Sequence, residues 1–470
     1  MKLATLQVLS QDEIRQIHEA TLSVLATCGV KMLNPRVLDL LKKAGLTVQS
    51  ETVFFSKACL EDALSQVPAQ FEVFSRDGTP AFVLGDGTPR VAAGHNAVFW
   101  VDSTTGNTRA STVADVEQFA RICEQLAEID AIGIPVMPQD VPNPLATLLY
   151  GVRACIENSS KPIFFSTDSP RVNRTVIEML AAVFKGNMRT QVYGIGQLSP
   201  TSPLYWESNV LDAFVETIER NVPLAVLPEP NAGISAPYTL AGLLTINNAE
   251  CLSGIVLAQL LKPGAKVLYA NSWTTTDMRR GYALVGSVET SICRIAGAQL
   301  ARFYGVPCHT TAPNSDNHAH DEQNAWEKTL SLFSALAAGN DLIVNCGMFA
   351  TGMTCSHEQL IMDDEITGMS RRLAQGMEVN ADTIAQDLIK EIGPRGTGYL
   401  TAGHTLEWLR AREYYVPRLA ARGPRAIWES QGAPDTYARA REEAGKLGAN
   451  FSGALDETRR ARLQEMLQGF

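Results

Sequence analysis

The sequence predicts an α/β protein built on a (β/α)8 TIM-type barrel, with N-terminal helical and strand additions and a C-terminal helical wrap. From about residue 111, apolar runs of strand length alternate with amphipathic runs of helical length, a pattern typical of parallel sheets with helical crossovers. No glycine-rich turn follows the first apolar run. This argues against a nucleotide-binding open sheet and favours a closed barrel.

Residues 1–110 predict an N-terminal helical and strand-rich subdomain. Ser10 and Glu13 have the spacing of a capping box, and an apolar face follows them at helical intervals. Asp-Gly and Gly-Asn turns separate short alternating runs further along, as in a strand-rich insert. Two more helices and then the insert are predicted over 36–43, 57–66 and 71–108.

Residues 111–380 predict the catalytic barrel, and residues 381–470 a helical, arginine-rich extension that forms an outer wrap or an oligomer surface. The eighth strand is not defined by the pattern, since either His95–Val101 or a piece near Met353 could supply it. Seven strands are predicted at Ala131–Met137, Pro162–Ser166, Gln191–Gly196, Leu224–Leu227, Lys266–Ala270, Pro307–Thr311 and Leu342–Cys346.

Composition restricts the class of protein. The 470 residues exceed the roughly 250–300 that one simple core accommodates, which agrees with a barrel carrying additions. A net charge of −10 without a basic stripe argues against nucleic acid as a partner. No apolar run reaches the roughly 18 residues that a membrane span needs, and no signal peptide is evident. Nine cysteines without a Cys-x-x-Cys pair predict a cytoplasmic protein with reduced thiols.

Polar side chains beyond the predicted strands are the candidate substrate-binding residues, because a barrel of this type carries its active site at the C-terminal ends of its strands. Gln197, Glu229 and Asn314 each lie just past a predicted strand. His309 and His357 are the histidines nearest the ends of the sixth and seventh predicted strands, and each either contacts substrate or is a hydrogen-bonded core residue. Glu229 lies between two prolines and either faces an ammonium group or pairs with a neighbouring cation.

Aromatic residues near the strand ends could form a box around a methylated ammonium group. Such a contact is worth about 2 kcal/mol or more when water is excluded. The alternative is that these side chains fill the upper barrel as ordinary core. The candidates are Trp273, Phe349, Tyr205 and Trp206.

A metal site is a weaker hypothesis. His318 and His320, followed by Asp321 and Glu322, superficially resemble a ligand cluster. Acidic residues are ordinary in the first turn of a helix, however, and this segment reads as a helix start. We therefore expect no bound metal.

Several dispersed segments, occurring in the same order along nearly the whole chain, resemble one known family. The similarity lies in Leu9–Val30, Asp102–Asp115, Asp321–Asn340, His357–Ile366 and Gly393–Thr405. The chain resembles the trimethylamine–corrinoid methyltransferase family, and within it the members that lack pyrrolysine, such as glycine betaine–corrinoid methyltransferases.

The resemblance implies transfer of a methyl group from a small amine to the Co(I) corrinoid of a separate partner protein, with no tightly bound cofactor. In trimethylamine members a pyrrolysine lies in the barrel, around the positions of Cys308–Asp316, and this sequence contains none. This departure points to quaternary amines, glycine betaine or a related betaine, which leave as neutral amines without a general acid. His357, in the most family-like segment, is the predicted catalytic residue, and His357, His309 or Asn314 would pair with a betaine carboxylate.

Two alternatives remain open at this point. One is a metal-dependent barrel enzyme, such as a zinc methyltransferase or a hydrolase. The other is a betaine-binding module without catalysis. Besides a quaternary amine and the corrinoid protein, the expected partner is a second copy of the chain, with neither nucleic acid nor membrane involved.

Overall fold

The computed structural model describes residues 5–394, 396, 398–411, 413–449 and 455–470. Eight parallel strands lie at its centre: β1 Arg90–Ala93, β2 Ile132–Gly133, β3 Ile163–Ser166, β4 Gly194–Leu198, β5 Leu224–Val226, β6 Val267–Asn271, β7 Cys308–Thr311 and β8 Leu342–Cys346. They are hydrogen-bonded in the order β1-β8-β7-β6-β5-β4-β3-β2. A bridge between Ala92 and Ala131 joins β1 to the start of β2, so the sheet closes on itself.

A helix follows each strand and packs outside the sheet. These helices are α1 Val113–Gln125, α2 Thr147–Asn158, α3 Pro170–Val183, α4 Ser208–Glu219, α5 Leu240–Leu261, α6 Val288–Tyr304, α7 Glu322–Ala337 and α8 His357–Gln375. The (β/α)8 prediction is therefore confirmed. All seven strands expected from the sequence overlap strands of the barrel.

The strand that sequence analysis did not define is the first one, β1, rather than His95–Val101 or a segment near Met353. Its run Arg90-Val91-Ala92-Ala93 is short and carries only one large apolar residue, so it resembles the surrounding turn-rich insert. The barrel therefore begins before the boundary predicted at residue 110. His95 lies just beyond β1, at the C-terminal end of the barrel.

A hairpin closes the opposite end of the barrel. Its strands, Phe71–Phe74 and Pro80–Leu84, pair antiparallel. Four of its apolar side chains share one buried cluster with side chains of the barrel interior: Phe71, Val73, Phe82 and Leu84. The barrel is thus filled from below, and only its C-terminal end can admit a ligand.

The N-terminal segment packs beside the barrel. The predicted capping box at Ser10 and Glu13 is present. Its elements are helices Gln11–Thr27, Pro35–Lys43 and Lys57–Gln66 and strands Val30–Met32, Thr47–Gln49 and Thr52–Phe54. The first of these strands pairs with a two-residue strand, Tyr205–Trp206, from the loop between β4 and α4.

Short elements surround the C-terminal end of the barrel. Two form a hairpin between β6 and α6, four form a small sheet from the loops after β1 and β8, and one 3-10 turn precedes α2. They are Thr275–Asp277 and Tyr282–Leu284, then Phe99–Val101, Thr108–Ala110, Met348–Phe349 and Thr354–Cys355, and Pro144–Ala146.

The C-terminal extension is helical, as expected, with helices Ala381–Ile384, Gln386–Ile392, Gly403–Arg410, Arg425–Ser430, Thr436–Ala449 and Glu457–Gln468. Only the last two bury side chains in the protein. Ala440, Ala444, Leu463 and Leu467 join the core that α1, α2 and α3 form. The chain leaves the barrel after α8 and returns to that helix at Arg418 and Leu419, whose amides donate to Glu365, before the last two helices pack on the barrel.

One helix of the described chain, α5, is long and apolar enough by length and composition to cross a membrane. As the sequence indicated, Asn247, Asn248 and Glu250 interrupt the apolar run, but they do not end the helix. In the structure 72% of its most apolar window is buried, so α5 is a core helix against the sheet.

Candidate active site at the C-terminal end of the barrel

An amide bridge joins two histidines inside the barrel. The two amide heavy atoms of Gln197, on β4, lie 3.2 Å from Nε2 of His95 and 3.3 Å from Nε2 of His309. The Phe164 ring contacts both imidazoles, with ring centroids 5.0 and 5.2 Å apart. Strands on opposite sides of the barrel are thereby linked across its interior.

Hydrogen-bond chemistry determines the protonation of this bridge. His309 Nδ1 lies 3.1 Å from the Leu342 carbonyl oxygen, and only a protonated Nδ1 can donate to a carbonyl. Burial lowers the pKa of His309 to about 3 and that of His95 to about 4, so both rings are neutral at pH 7. Gln197 Nε2 donates to Nε2 of His95, and Gln197 Oε1 faces Nε2 of His309.

One consequence is an unused donor. Because Nε2 of His95 accepts from Gln197, the neutral ring carries its proton on Nδ1, and Nδ1 is buried without a hydrogen-bond partner among the described residues. A buried donor that stays unpaired costs about 1–3 kcal/mol. The interior of the barrel mouth is therefore polar, neutral and incompletely satisfied.

A second network leads from a buried guanidinium to a carboxylate. Arg294, on α6, is almost fully buried and donates through NH2 to the Thr311 hydroxyl at 3.0 Å. The Thr311 and Ser272 hydroxyl oxygens lie 3.0 Å apart, and Ser272 is hydrogen-bonded to Glu229. Since Arg294 can only donate, the Thr311 hydroxyl accepts from it and donates a hydrogen bond to Ser272. The Ser272 hydroxyl in turn donates a hydrogen bond to Glu229.

This relay favours the ionised form of Glu229. Its side chain is exposed to solvent, yet the surrounding protein raises the pKa of its carboxyl, while the Ser272 hydrogen bond and the charge of Arg294 lower it. The side chain is therefore both accessible to solvent and partly desolvated. Glu229 thus places a carboxyl group just past β5, at the same end of the barrel as the His95–Gln197–His309 bridge.

Asn314 is nearly fully buried, and its amide is committed to the protein. Its Nδ2 donates to the Thr311 carbonyl at 2.8 Å, and its Oδ1 accepts from Asn345 Nδ2 at 2.8 Å. Asn345 lies in β8 with φ 148°, where the pairing of β8 with β1 shifts register. Asn314 therefore holds Asn345 and the Thr311 backbone in place rather than serving as a free donor for a substrate carboxylate.

The four aromatic candidates are not brought together, so the predicted box is absent. Trp206 is fully buried beneath α5, donates to Ser253 Oγ at 3.0 Å and packs edge-on against Phe214. Tyr205 lies beside Lys31 of the N-terminal segment and donates to Glu207.

Trp273 and Phe349 are also interior side chains. Trp273 is 1% exposed within the apolar core outside the sheet, and the open position expected for it on the rim is not observed. Phe349 is buried beside Val101 and contacts the His320 ring. Sequence position places a residue beyond a strand, but the direction of its side chain depends on the local twist of the loop.

His357 does not lie among these strand-end residues. It is the first residue of α8, where its ring packs edge-on against Trp100, 4.6 Å between centroids, and its Nε2 lies 3.2 Å from the Asp115 carbonyl oxygen of α1. Burial lowers the pKa of His357 to about 4, so the ring is neutral at pH 7. It joins α8 to α1 behind the barrel wall, and we assign it a structural role instead of the predicted catalytic one.

The weaker metal hypothesis gains no support from geometry. His318 is exposed, whereas His320 stacks on Tyr437 with ring centroids 4.7 Å apart. Asp321 is the N-cap of α7, as a helix start requires. Within the described ranges, no three His, Cys, Asp or Glu side chains are grouped to hold a metal ion.

Sequence analysis missed several residues of the two networks: His95, Ser272, Arg294, Thr311 and Asn345. The signal for His95 was weak because β1 was not recognised. Ser272 and Thr311 do lie at strand ends, but Arg294 lies in mid-helix, and only the fold brings it behind them.

A closed (β/α)8 barrel, plugged at one end and carrying a carboxylate beside neutral polar groups at the other, is an enzyme of the TIM-barrel class with a small-molecule site. The family model for trimethylamine methyltransferase (MTTB) matches residues 1–468. The chain therefore belongs to the trimethylamine methyltransferase family, as the resemblance predicted.

Curated relatives cover nearly the whole chain. Trimethylamine methyltransferase MttB of Desulfitobacterium hafniense (strain DSM 10664 / DCB-2) is 31% identical over 447 residues, covering 94% of this chain and 89% of the relative. Glycine betaine methyltransferase of Desulfitobacterium hafniense (strain Y51) is 30% identical over 467 residues, covering 98% and 96%. The two relatives act on different amines by name, so identity alone does not select the substrate.

The crystal structure of the Methanosarcina barkeri monomethylamine methyltransferase (MtmB) aligns with a TM-score of 0.54 at 13% identity, covering 96% of this chain and 90% of that one. At this identity the likeness concerns the fold. It extends beyond the barrel to most of the additions.

Proposed function

We propose that this protein transfers a methyl group from a quaternary amine, glycine betaine or a related betaine, to the Co(I) corrinoid of a partner protein. The observation that carries the proposal is the Glu229 carboxyl group at the end of the Arg294–Thr311–Ser272 relay. A carboxylate held by hydrogen bonds at a partly desolvated position attracts a permanent cation. The glycine betaine methyltransferase among the relatives supports the same substrate class.

The neutral histidines agree with a reaction that moves no proton. When the methyl carbon leaves the quaternary nitrogen, the C–N electron pair stays on nitrogen and a neutral tertiary amine results. The partner's corrinoid supplies the electron pair for the new cobalt–carbon bond. The chain itself has to desolvate the cation, orient it and direct one methyl group outward.

Glu229 would also assist product release. Its charge pairs with the substrate cation but has no charge to pair with in the neutral amine product. Because Glu229 makes a charge-assisted contact with the substrate but not with the product, the product is replaced by substrate more readily. A betaine carboxylate would lie away from Glu229, to avoid like-charge repulsion.

Exposed apolar side chains on the rim provide a surface for the corrinoid protein. They belong to the loops after β5 and β6: Ile234, Tyr238, Met278 and Tyr282. A cavity of about 820 Å³ continues this surface between Tyr282, Phe99 and Met353. Apolar patches rimmed by polar groups are typical of protein–protein contacts. As part of the same proposal, the enzyme works in the cytoplasm, without a tightly bound cofactor of its own.

A substrate panel tests the proposal. Purified enzyme is given Co(I)-cobalamin and, separately, glycine betaine, proline betaine, carnitine, choline or trimethylamine, and methylcobalamin is followed by its absorbance while the demethylated amine is identified by mass spectrometry. We expect one or more quaternary amines to react and trimethylamine to be inert. Turnover of trimethylamine alone, or no turnover with any amine, would contradict the proposal. Saturable binding of a betaine without turnover would indicate a binding module instead.

A further inference from the structure

The carboxylate of Asp316 joins the three loops that follow β6, β7 and β8. Asp316 lies in the loop after β7, and its side chain is partly buried. Its Oδ1 accepts hydrogen bonds from the Val285 amide at 3.0 Å and the Thr351 hydroxyl at 3.2 Å, and its Oδ2 accepts from the Gly286 amide at 3.0 Å. The two amides belong to the loop after β6 and Thr351 to the loop after β8. This one side chain therefore fixes the three loops relative to one another.

Helix α7 in turn fixes the position of Asp316. Glu327 Oε2 accepts from the Ser315 hydroxyl at 2.8 Å and from the Asp316 amide at 2.9 Å. Gly286 lies so close to this junction that a Cβ atom on it would be 2.6 Å from Glu327 Oε2 and 3.0 Å from the Asp316 nitrogen. The junction therefore requires glycine, because any side chain there would push the two loops apart.

Asp316 thereby anchors one end of a hairpin on the rim of the barrel mouth. The hairpin consists of the strands Thr275–Asp277 and Tyr282–Leu284, and we call residues 275–284 the rim hairpin. The two backbone amides that donate to Asp316 follow its second strand directly. The anchor thus acts at the end of the hairpin that leads into α6.

The other end of the rim hairpin is joined to the segment that carries Glu229. The Thr274 amide donates to the Pro230 carbonyl at 3.1 Å, and the Ala232 amide donates to the Thr274 carbonyl at 3.0 Å. These backbone hydrogen bonds do not involve Asp316. Loss of the Asp316 contacts should therefore release the end near α6 and leave the Glu229 segment in place.

The rim hairpin presents apolar side chains between two large cavities. Met278 and Tyr282 are 56% and 64% exposed. A cavity of about 1060 Å³ lies between the hairpin and the loop after β5, and the cavity of about 820 Å³ lies between the hairpin and the loops after β1 and β8. A small amine would fill only a minor part of either cavity. The corrin group is a much larger, flat ring with apolar faces and amide groups at its edge, and it suits an apolar hairpin with open space on both sides.

We propose that the rim hairpin contacts the corrin group, and that Asp316 is the positioning residue that holds the hairpin in its binding conformation. The inference rests on the proposed function, in which the corrinoid partner docks at the barrel mouth. A hairpin that is fixed at both ends loses little conformational freedom when a ligand packs against it. With one end released, only a fraction of the molecules hold the binding conformation, and the apparent affinity falls in proportion to that fraction.

Two variants test this from opposite sides of the same junction. Asp316→Asn keeps the shape of the side chain but replaces one acceptor oxygen by an amino group, so a backbone amide after the hairpin loses its acceptor. Gly286→Ala changes no charge but forces the end of the hairpin away from Glu327 and Asp316. In equilibrium dialysis, each variant should raise the dissociation constant for hydroxocobalamin roughly 10-fold. In the methyl-transfer assay, each should raise KM for Co(I)-cobalamin by a similar factor and leave KM for the amine within about twofold of wild type.

The matched control is Asp140→Asn. Asp140 is an exposed carboxylate in the loop after β2 that also accepts from a backbone amide, that of Val113, at 2.8 Å, and its replacement should leave cobalamin binding unchanged. Thermal melting of the three variants verifies that the barrel remains folded.

Three results would overturn the inference: no hydroxocobalamin binding by the wild-type protein, wild-type binding by both Asp316→Asn and Gly286→Ala, or an equal rise in KM for the amine. The dialysis uses no amine, so it tests the rim hairpin even if no amine reacts, and the two proposals can fail separately.

Discussion

Two buried polar networks of this barrel obey opposite rules. Between α7 and α8, Lys328 and Asp363 form an ion pair of 2.6 Å with both side chains fully buried. Asp363 accepts two more hydrogen bonds, from the Gly347 amide at 2.7 Å and Gln359 Nε2 at 2.9 Å. Both oxygens of this carboxylate therefore have donors.

At the barrel mouth the opposite holds. The His95–Gln197–His309 bridge carries no formal charge and leaves His95 Nδ1 without a partner among the described residues. Glu229 is supported by a hydroxyl relay rather than by a contacting cation. The network between the helices pairs its two charges and stabilises the fold, and its one unpaired atom among the described residues is the neutral Gln359 Oε1. The network at the mouth holds no ion pair and leaves a ring nitrogen with which a ligand can pair.

The largest effect should come from breaking the buried Lys328–Asp363 ion pair. Lys328→Met leaves the Asp363 carboxylate buried and unpaired, which should lower the free energy of unfolding by about 3–5 kcal/mol. Urea denaturation measures it. The matched control is Lys446→Met, which removes the exposed partner of Glu442 and should leave the free energy of unfolding nearly unchanged. The double variant Lys328→Met/Asp363→Asn, which removes both charges, should recover much of the loss, and equal losses for the two single variants would contradict the distinction.

The segments of strongest family likeness contain the residues of the ion-pair network between α7 and α8. Lys328 and Asp363 belong to Asp321–Asn340 and His357–Ile366, and Glu327 in the first of these accepts from Ser315 Oγ and the Asp316 amide to fix the loop after β7. Contiguous motifs are easy to recognise in a sequence. Residues of the mouth come singly from separate strands, which is why the sequence indicated the family more readily than the site.

Much of the fold was nonetheless predictable. Parallel strands covered on both faces are continuous apolar runs, and seven of eight were located in this way. β1 was missed because Ala92 and Ala93 give it little apolar bulk. The strand-end rule found Gln197, Glu229 and His309, but it could not tell that Trp273 turns into the outer core or that His357 faces α1. Those directions depend on loop geometry and helix packing, which local sequence does not encode.

An intermediate effect is expected from the charge at the mouth. Glu229→Gln keeps the size and hydrogen bonding of the side chain but removes its charge, so kcat/KM for the quaternary amine should fall roughly 10–100-fold, about 1.4–2.8 kcal/mol. Asp168→Asn is the matched control, because Asp168 is an exposed carboxylate beyond β3 on the same rim without the relay. Its kcat/KM should stay near the wild-type value. A comparable loss in both variants would mean that the mouth attracts cations through its overall charge rather than through Glu229.

The smallest expected change in methyl transfer is that of His357→Asn, and this variant separates the two buried histidines by their roles. Burial lowers the pKa values of His357 to about 4 and of His309 to about 3, below the ordinary 6.5 of an unfolded chain. As pH falls from 6.5 towards 4, the unfolded chain binds protons that the folded protein does not bind. Each ring then lowers the free energy of unfolding by up to about 1.4 kcal/mol for each pH unit.

His357→Asn and His309→Asn should both reduce this loss of stability at acid pH, measured by urea denaturation between pH 4.5 and 7. At pH 7, His357→Asn should leave methyl transfer within about twofold of wild type, whereas His309→Asn should also lower it, because only His309 belongs to the bridge at the mouth. A strong loss of transfer in His357→Asn with unchanged stability would return that residue to the catalytic site.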